Sequence, residues 1–303
     1  MVAMRIATFA QSNKMIADAM RVESVMANEQ VQESSGMVST DYGGYGSNAQ
    51  HVVNLQVSVT RAQSYVDAAT LADSKVQVMY SAVGSMTDII TQLRSQLSAA
   101  STGSSTETNS VISSAQQMLD EMGSLMNTQY DGQYVFAGGK TDTAPVDLTS
   151  FSSGTGSTTT ADTSYYKGDD EIASVRVASD QTVSYGVTAD NSAFEEVMRV
   201  LKFVANSTSL SSSDITSALN LASTALDDTA AVQAKLSSSA SSIETASARQ
   251  TDYKSYAETL SNDLTGVDVA AITAQLSTYQ AQLTASYSAM SKILSMNLAS
   301  YLK

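Results

Sequence analysis

The chain has 303 residues, with 16 Lys and Arg against 30 Asp and Glu, a formal net charge of −14. A surface that acidic argues against nucleic acid and anionic membranes as partners. With no Cys and one His, the chain has no disulfide, no thiol nucleophile and almost none of the usual metal ligands and general bases.

Pro occurs once, at Pro145, so little forbids long helices. Five Phe and no Trp leave the apolar supply to Ala, Val, Leu, Ile and Met, which suit narrow helix seams. The N-terminus lacks the unbroken apolar core of a secretory signal, being cut by Gln11, Ser12, Asn13, Lys14 and Asp18. No apolar run approaches the roughly 18–20 residues of a membrane span.

Residues Ile6 to about Ser34 read as a helix, with Met15, Ala19, Val22 and Met26 at spacings of four, three and four. Gly36 is its stop. Ser34–Gln50, with glycines at 36, 43, 44 and 46 and tyrosines at 42 and 45, reads as a long loop. The cleanest ladder follows. Leu55, Ala62, Ala69, Val76, Val83, Ile90 and Leu97 recur every seven residues, and Val52, Val59, Val66, Met86 and Leu93 supply a second position. The spacing predicts one helix over Asn48–Ala100. A Ser/Thr/Gly turn leads to a third helix bearing Val111, Ala115, Met118, Met122 and Leu125, which a short turn would send back antiparallel.

At Tyr130 the character changes. Tyr130–Lys140 alternates and ends in Gly138–Gly139, a strand entering a turn. Thr141–Ser164 is poor in apolar residues and is expected to be mobile at its centre. Tyr165–Gly168, Ile172–Ala178 and Thr182–Thr188 read as strands, with a hairpin turn at Ser179–Gln181. The apolar residues of this stretch are local, so it is expected to fold by itself. A short helix follows, capped within Asp190–Ser192 and carrying Phe194, Val197, Met198, Leu201 and Val204.

Beyond the link Asn206–Asp214, Val232–Lys303 reads as a near-continuous helix of roughly 100 Å. Its seam interleaves Val232, Ser239, Ala246, Tyr253, Leu260 and Val267 with Leu236, Ile243, Gln250, Ala257 and Leu264. After Gly266 the pattern resumes as Val269, Ile272, Leu276, Tyr279, Leu283, Ser286, Met290 and Ile293. A helix that long needs partner helices along its whole extent. The fold class is therefore mainly α with a small β-rich insert, its N- and C-terminal arms forming a long antiparallel coiled-coil-like rod. The rod seam is expected at Leu55, Ala62, Ala69, Val76, Val83, Ile90, Leu97, Leu236, Ile243, Tyr253 and Leu260. The divisions are an N-terminal arm and loop (1–47), helical rod (48–129), β-rich insert (130–213), returning rod (214–265) and C-terminal arm (266–303).

No catalytic, cofactor or metal constellation is found. His51 stands alone, Tyr42–Gly46 lacks the Lys-Ser/Thr of a phosphate loop, and Asp169–Asp170–Glu171 lacks the alternating donors of a calcium loop. Methionines on the stripes are adaptable packing. Asn206–Ser207–Thr208 formally permits glycosylation. The chain is not read as an enzyme.

The ends and the Tyr130 stretch resemble the flagellin superfamily, and within it the hook-associated protein 3 (hook–filament junction) branch. The likeness rests on MRIATFAQSNKMIADAM at the start, VQESSGMVSTDYGGYGSNA where the family has a Ser-Ser-Gly turn, NTQYDGQYVFAGGK, and GVDVAAITAQLSTYQAQLTASYSAMSKILSMNLASYL at the end. The family's Asp-Asp-Pro loop is replaced here by a Tyr/Gly loop. The resemblance implies a structural adaptor, exported without a cleaved signal peptide and placed outside the cell at the hook–filament junction, with a small filament-forming flagellin as the alternative. A stalked adhesin is the reading from another class. It implies a ring of copies of itself, a neighbouring hook-associated protein and flagellin as partners, an export chaperone on the C-terminal segment, and no cofactor. The assembly interface would then be Ile6, Phe9, Met15, Ala19, Val22, Met26, Ile272, Leu276, Tyr279, Leu283, Met290, Ile293 and Leu298, open until neighbours cover it.

Overall fold

The computed structural model describes the backbone of residues 2–102, 105–151 and 156–295 and the side chains of 10–102, 107–149, 151 and 156–293. Among the described residues the helices are α1 (Val2–Ser35), α2 (Ala49–Ala100), α3 (Ser105–Met126), α4 (Ser192–Ala205), α5 (Ser212–Thr265) and α6 (Val269–Ser295). Two antiparallel hairpins lie between α3 and α4: β1 (Gln129–Tyr130) with β2 (Gln133–Tyr134), and β3 (Ser174–Arg176) with β4 (Thr182–Ser184). The chain divides into two compact units, one of residues 1–60 with 254–303 and one of residues 61–253. Both divisions fall inside α2 and α5, not at the loops where the sequence changes character.

Local chemistry explains the helix ends. α1 stops at Gly36, whose φ of 69° is the left-handed conformation that glycine adopts at least cost. α4 is capped by Asn191, whose Oδ1 accepts from the Ala193 amide at 3.1 Å. At the head of α5 the Ser211 amide donates to Asp214 Oδ2 at 2.9 Å and the Asp214 amide to Ser211 Oγ at 3.2 Å. Those reciprocal bonds satisfy donors that the first turn leaves open. α5 thus begins at Ser212, two residues before the returning rod read from sequence. It is interrupted at Gly266 before α6 begins, where a near-continuous helix was expected.

In the 61–253 unit α2, α3, α4 and α5 enclose one core, in which Met86, Ile90, Leu93, Leu97, Met122, Met126, Phe136, Phe194, Met198 and Leu201 are fully buried. Val135, Phe136, Val146, Tyr165, Val175, Val177, Tyr185 and Val187 belong to that same cluster. The β-rich insert is therefore not self-contained: its buried residues share one cluster with Leu93 and Leu97 of α2 and Met122 and Met126 of α3, and within it Phe136 meets Phe194 of α4 edge to face at 5.9 Å. Nor is Tyr130–Lys140 a strand along its length. Strands of two residues flank Asp131 and Gly132, whose φ values of 51° and 73° suit a tight hairpin turn. Val135–Ala137 then leave the ladder and are buried.

The mobility expected at the centre of the Ser/Thr-rich stretch falls on residues 152–155, which lie outside the described residues. Farther along, Thr158 and Asp162 are fastened to α4. Lys202 Nζ donates to Asp162 Oδ2 at 2.7 Å, Arg199 donates to the Thr158 carbonyl at 3.0 Å, and Glu195 accepts from the Asp162 amide at 2.8 Å. Lys202 also stands 4.1 Å from the Phe151 ring centroid, a favourable cation–π placement. Tyr165 donates to the Ala189 carbonyl at 3.0 Å, and burial pushes its phenol well above the usual range.

Burial opposes ionisation of Asp162, but the hydrogen bonds from Lys202 and Ser164 outweigh it and hold the carboxyl at about 2. A depressed carboxyl contributes its stability fully above the ordinary value of 3.8 and loses it as pH falls toward 2. Asp162→Asn is therefore expected to lower unfolding stability by about 1–3 kcal/mol at neutral pH, with the difference shrinking below pH 3. Urea denaturation at the two pH values measures it, and an equal loss at both would contradict the role given to the ion pair.

Candidate assembly interface

Residues 1–60 and 254–303 form the unit that holds both ends of the chain. In it α6 packs on α1. On α1 the inward positions are Met15, Ala19, Val22, Met26, Glu29 and Glu33, with Ala19 buried and the others half-buried. On α6 they are Ile272, Leu276, Tyr279, Leu283, Ser286, Met290 and Ile293, with Leu276 and Leu283 buried. Both series step by alternating three and four, which keeps each on one stripe. Thr273 Oγ1 donates to Glu33 Oε1 at 2.7 Å, and the Tyr287 hydroxyl donates to Glu23. One pair lies near the end of α1 and the start of α6 and the other runs the opposite way along each, so the helices are antiparallel. The Glu23 carboxylate pushes the Tyr287 phenol up.

A backbone latch sets the register. The Val38 amide donates to the Thr265 carbonyl at 2.7 Å and the Val267 amide to the Gly36 carbonyl at 3.0 Å, bridging Met37 to Gly266. Gln32 Nε2 adds a bond to the Val38 carbonyl at 2.8 Å. A Cβ on Gly266 would stand 2.8 Å from the Asn262 carbonyl oxygen, so glycine is required there. The loop that follows is folded too: Asp41 Oδ1 accepts from the Gly44 amide at 3.0 Å, opening a 3-10 segment over Tyr42–Asn48. Tyr42 donates to Gln56 Oε1 at 2.6 Å and Tyr45 to the Ser39 carbonyl at 2.6 Å.

These positions correct the expectation that the inward-stepping residues wait for neighbouring subunits. Ala19, Leu276 and Leu283 are already buried at 6%, 5% and 7% exposure, because α1 and α6 share one seam. Met15, Val22, Met26, Ile272, Tyr279, Met290 and Ile293 are half-buried along it. The side chains of Ile6 and Phe9, and Leu298 altogether, lie outside the described residues. What remains open is the other face. Met20 is 64% exposed and Val31 49%, with Ile16 and Ala27 exposed beside them. Ile16, Met20, Ala27 and Val31 step by four, seven and four, an apolar stripe that the sequence reading passed over. On α6, Val269 and Tyr287 are exposed.

Of the expected rod seam, Ala62, Ala69, Val76, Val83, Ile90, Leu97, Leu236 and Ile243 are buried and Leu55 is half-buried. Tyr253 and Leu260 are not seam residues: they are 50% and 37% exposed, while Ala246 and Ala257 are buried. A straight helix drifts about 20° per heptad against a seven-residue repeat. The series through Tyr253 starts at the edge of the buried arc and turns out of it, whereas that through Leu236, Ile243 and Ala257 stays within. Near the first turns of α2, His51, Asn54, Leu55, Ser58, Leu260 and Leu264 line a groove of about 370 Å³, where His51 is exposed. Among the described residues no group of three or more His, Cys, Asp or Glu is placed to hold a metal, and no helix is long and apolar enough to cross a membrane.

Residues 6–141 match the family profile described as the bacterial flagellin N-terminal helical region, which spans α1, the folded loop, α2, α3 and the first hairpin. Over that region, a little under half of the chain, the sequence is similar to flagellin. No curated protein matches it. Its fold is shared with a provisionally named flagellar hook-associated protein from Vibrio parahaemolyticus, at 15% identity and a TM-score of 0.60, covering 75% of this chain and 99% of that one. Bacillus cereus FlgL (13% identity, TM-score 0.48, covering 70% and 98%) and flagellar hook associated protein-3 from Legionella pneumophila (14%, 0.46, covering 71% and 97%) are also similar. Leu283→Asp is expected to unpair α1 from α6 at a cost on the order of 3 kcal/mol. Limited proteolysis should then cut both helices early and leave the 61–253 unit intact. Unchanged resistance of α1 and α6 would contradict the seam.

Proposed function

We propose that this chain is a structural adaptor of the bacterial flagellum that joins hook to filament, assembling through its terminal arms. The observation that carries the reading is the pairing of α1 with α6: their inner seam is satisfied within one chain, while Ile16, Met20 and Val31 present apolar surface with nothing over it. A contiguous exposed apolar stripe on a soluble chain marks an interaction site. Residues 1–47 and 266–303 act as the arms, 48–129 and 214–265 carry them, and 130–213 is the part farthest in role from assembly. The adaptor works by contact and carries out no catalysis.

The partners in this reading are other copies in a ring, a neighbouring hook-associated protein and flagellin, with an export chaperone holding the C-terminal segment before assembly. Its place is outside the cell, at the junction. The same N-terminal helical region also suits a small filament-forming flagellin, which is the second reading.

A deletion strain is expected to build hooks without filaments and to shed filament protein into the medium. Quantifying the protein per flagellum separates the two readings: a ring's worth of copies supports the adaptor, whereas thousands would make it a filament subunit.

A further inference from the structure

Charge is unevenly spread along this acidic chain. Residues 1–21 carry Arg5, Lys14 and Arg21 against Asp18 alone, and no Asp or Glu occurs from Val269 to Lys303. Lys14 and Arg21 are exposed and, among the described residues, neither forms an ion pair. They are seven residues apart, hence on one face of α1 and about 10.5 Å from each other along its axis. That face points away from the buried Ala19, and exposed Ala17 and Asp18 lie between the two cations, leaving it a net positive charge.

In the 61–253 unit, α2 and α5 line a groove of about 430 Å³. Its floor includes buried Ala69 and Ile243, and its rim carries Asp73, Glu244 and Asp252. None of these three carboxylates has an ion-pair partner among the described residues. Glu244 and Asp252, eight residues apart, lie on one side of α5 with about 12 Å between them along the axis. Ser247 and Ala248 sit between them, small as Ala17 is on the opposing face. The two surfaces therefore match in sign, in spacing to within about 2 Å, and in the small residues at their centres.

We propose that the outer face of α1, through Lys14 and Arg21, docks in the Asp73–Glu244–Asp252 groove of a second copy of this chain. The contact is heterologous, because the two surfaces differ. Repeating it generates a ring or an open helix and not a closed two-fold dimer. The apolar floor and the Met20 side supply the buried area, and the charges fix register and reject wrong pairings. Ionic contacts of this kind weaken as salt screens them. The inference rests on the self-assembling adaptor reading.

The test uses the full chain expressed in the deletion strain. Lys14→Glu with Arg21→Glu is expected to abolish filament attachment while secretion stays at the wild-type level. Glu244→Lys with Asp252→Lys is expected to do the same, and the four substitutions combined are expected to restore attachment. Restoration also shows that each reversed pair folds. Normal attachment with either reversed pair, or failure of the combination to restore it, overturns the inference while leaving the adaptor reading standing. Filaments that attach normally in the deletion strain itself overturn the adaptor reading and this inference with it.

Discussion

α1 and α6 can be folded because each covers the other's apolar stripe, and the latch at Gly36 and Gly266 decides which residues meet. Helix ends leave amides and carbonyls without partners. Here the carbonyls of Gly36 and Thr265 are taken by the amides of Val267 and Val38, so two helix ends answer each other. That fixes α6 antiparallel to α1 and brings Leu276 and Leu283 inside. A one-residue shift would turn the stripe of either helix by about 100° and expose it. Glycine at 266 is a steric requirement of the same bond pattern, since the Asn262 carbonyl occupies the space of a side chain.

Satisfying the seam within one chain frees the opposite face for other uses. Exposed Ile16, Met20 and Val31 give α1 a second apolar stripe, and Lys14 and Arg21 give it charge of the sign that most of the chain lacks. The 61–253 unit has the reverse character. Its core is dense, its surface is acidic, and Thr158 and Asp162 of its Ser/Thr-rich stretch are held by Lys202, Arg199 and Glu195. A stable body and a sparsely covered helical pair are what an adaptor requires: the first survives alone, and the second gains stability from its neighbours.

Much of the helical layout was legible because apolar residues at fixed spacing have one economical meaning. Leu55 to Leu97 marked α2, and the run from Ile272 to Ile293 marked the inner face of α6. That the two terminal arms pack on each other was legible as well. How completely α1 covers Leu283 within one chain was not, because the register is set by bonds at Gly36 and Gly266 that involve backbone atoms no side-chain pattern encodes. Tyr253 and Leu260 were misplaced because a seven-residue ladder ignores the 3.6-residue turn. The β-rich insert reads as separable because Phe136 and Tyr165 carry no sign that they will share a core with Met122 and Met126 of α3. The ion pair on α4 was missed because nothing near Lys202 in the sequence marks its partner Asp162, forty residues away.

The central claim is that the inner seam joins α1 to α6 of one chain, leaving the outer face to other copies. Since the chain has no Cys, a pair placed at Val22 and Ser286, both half-buried near the Glu23–Tyr287 hydrogen bond, reports this directly when oxidised in assembled flagella. The account predicts a disulfide within single chains, so that the protein runs as a monomer under non-reducing conditions. A ladder of disulfide-linked multimers would show that the seam is completed by a neighbouring copy, and would contradict it.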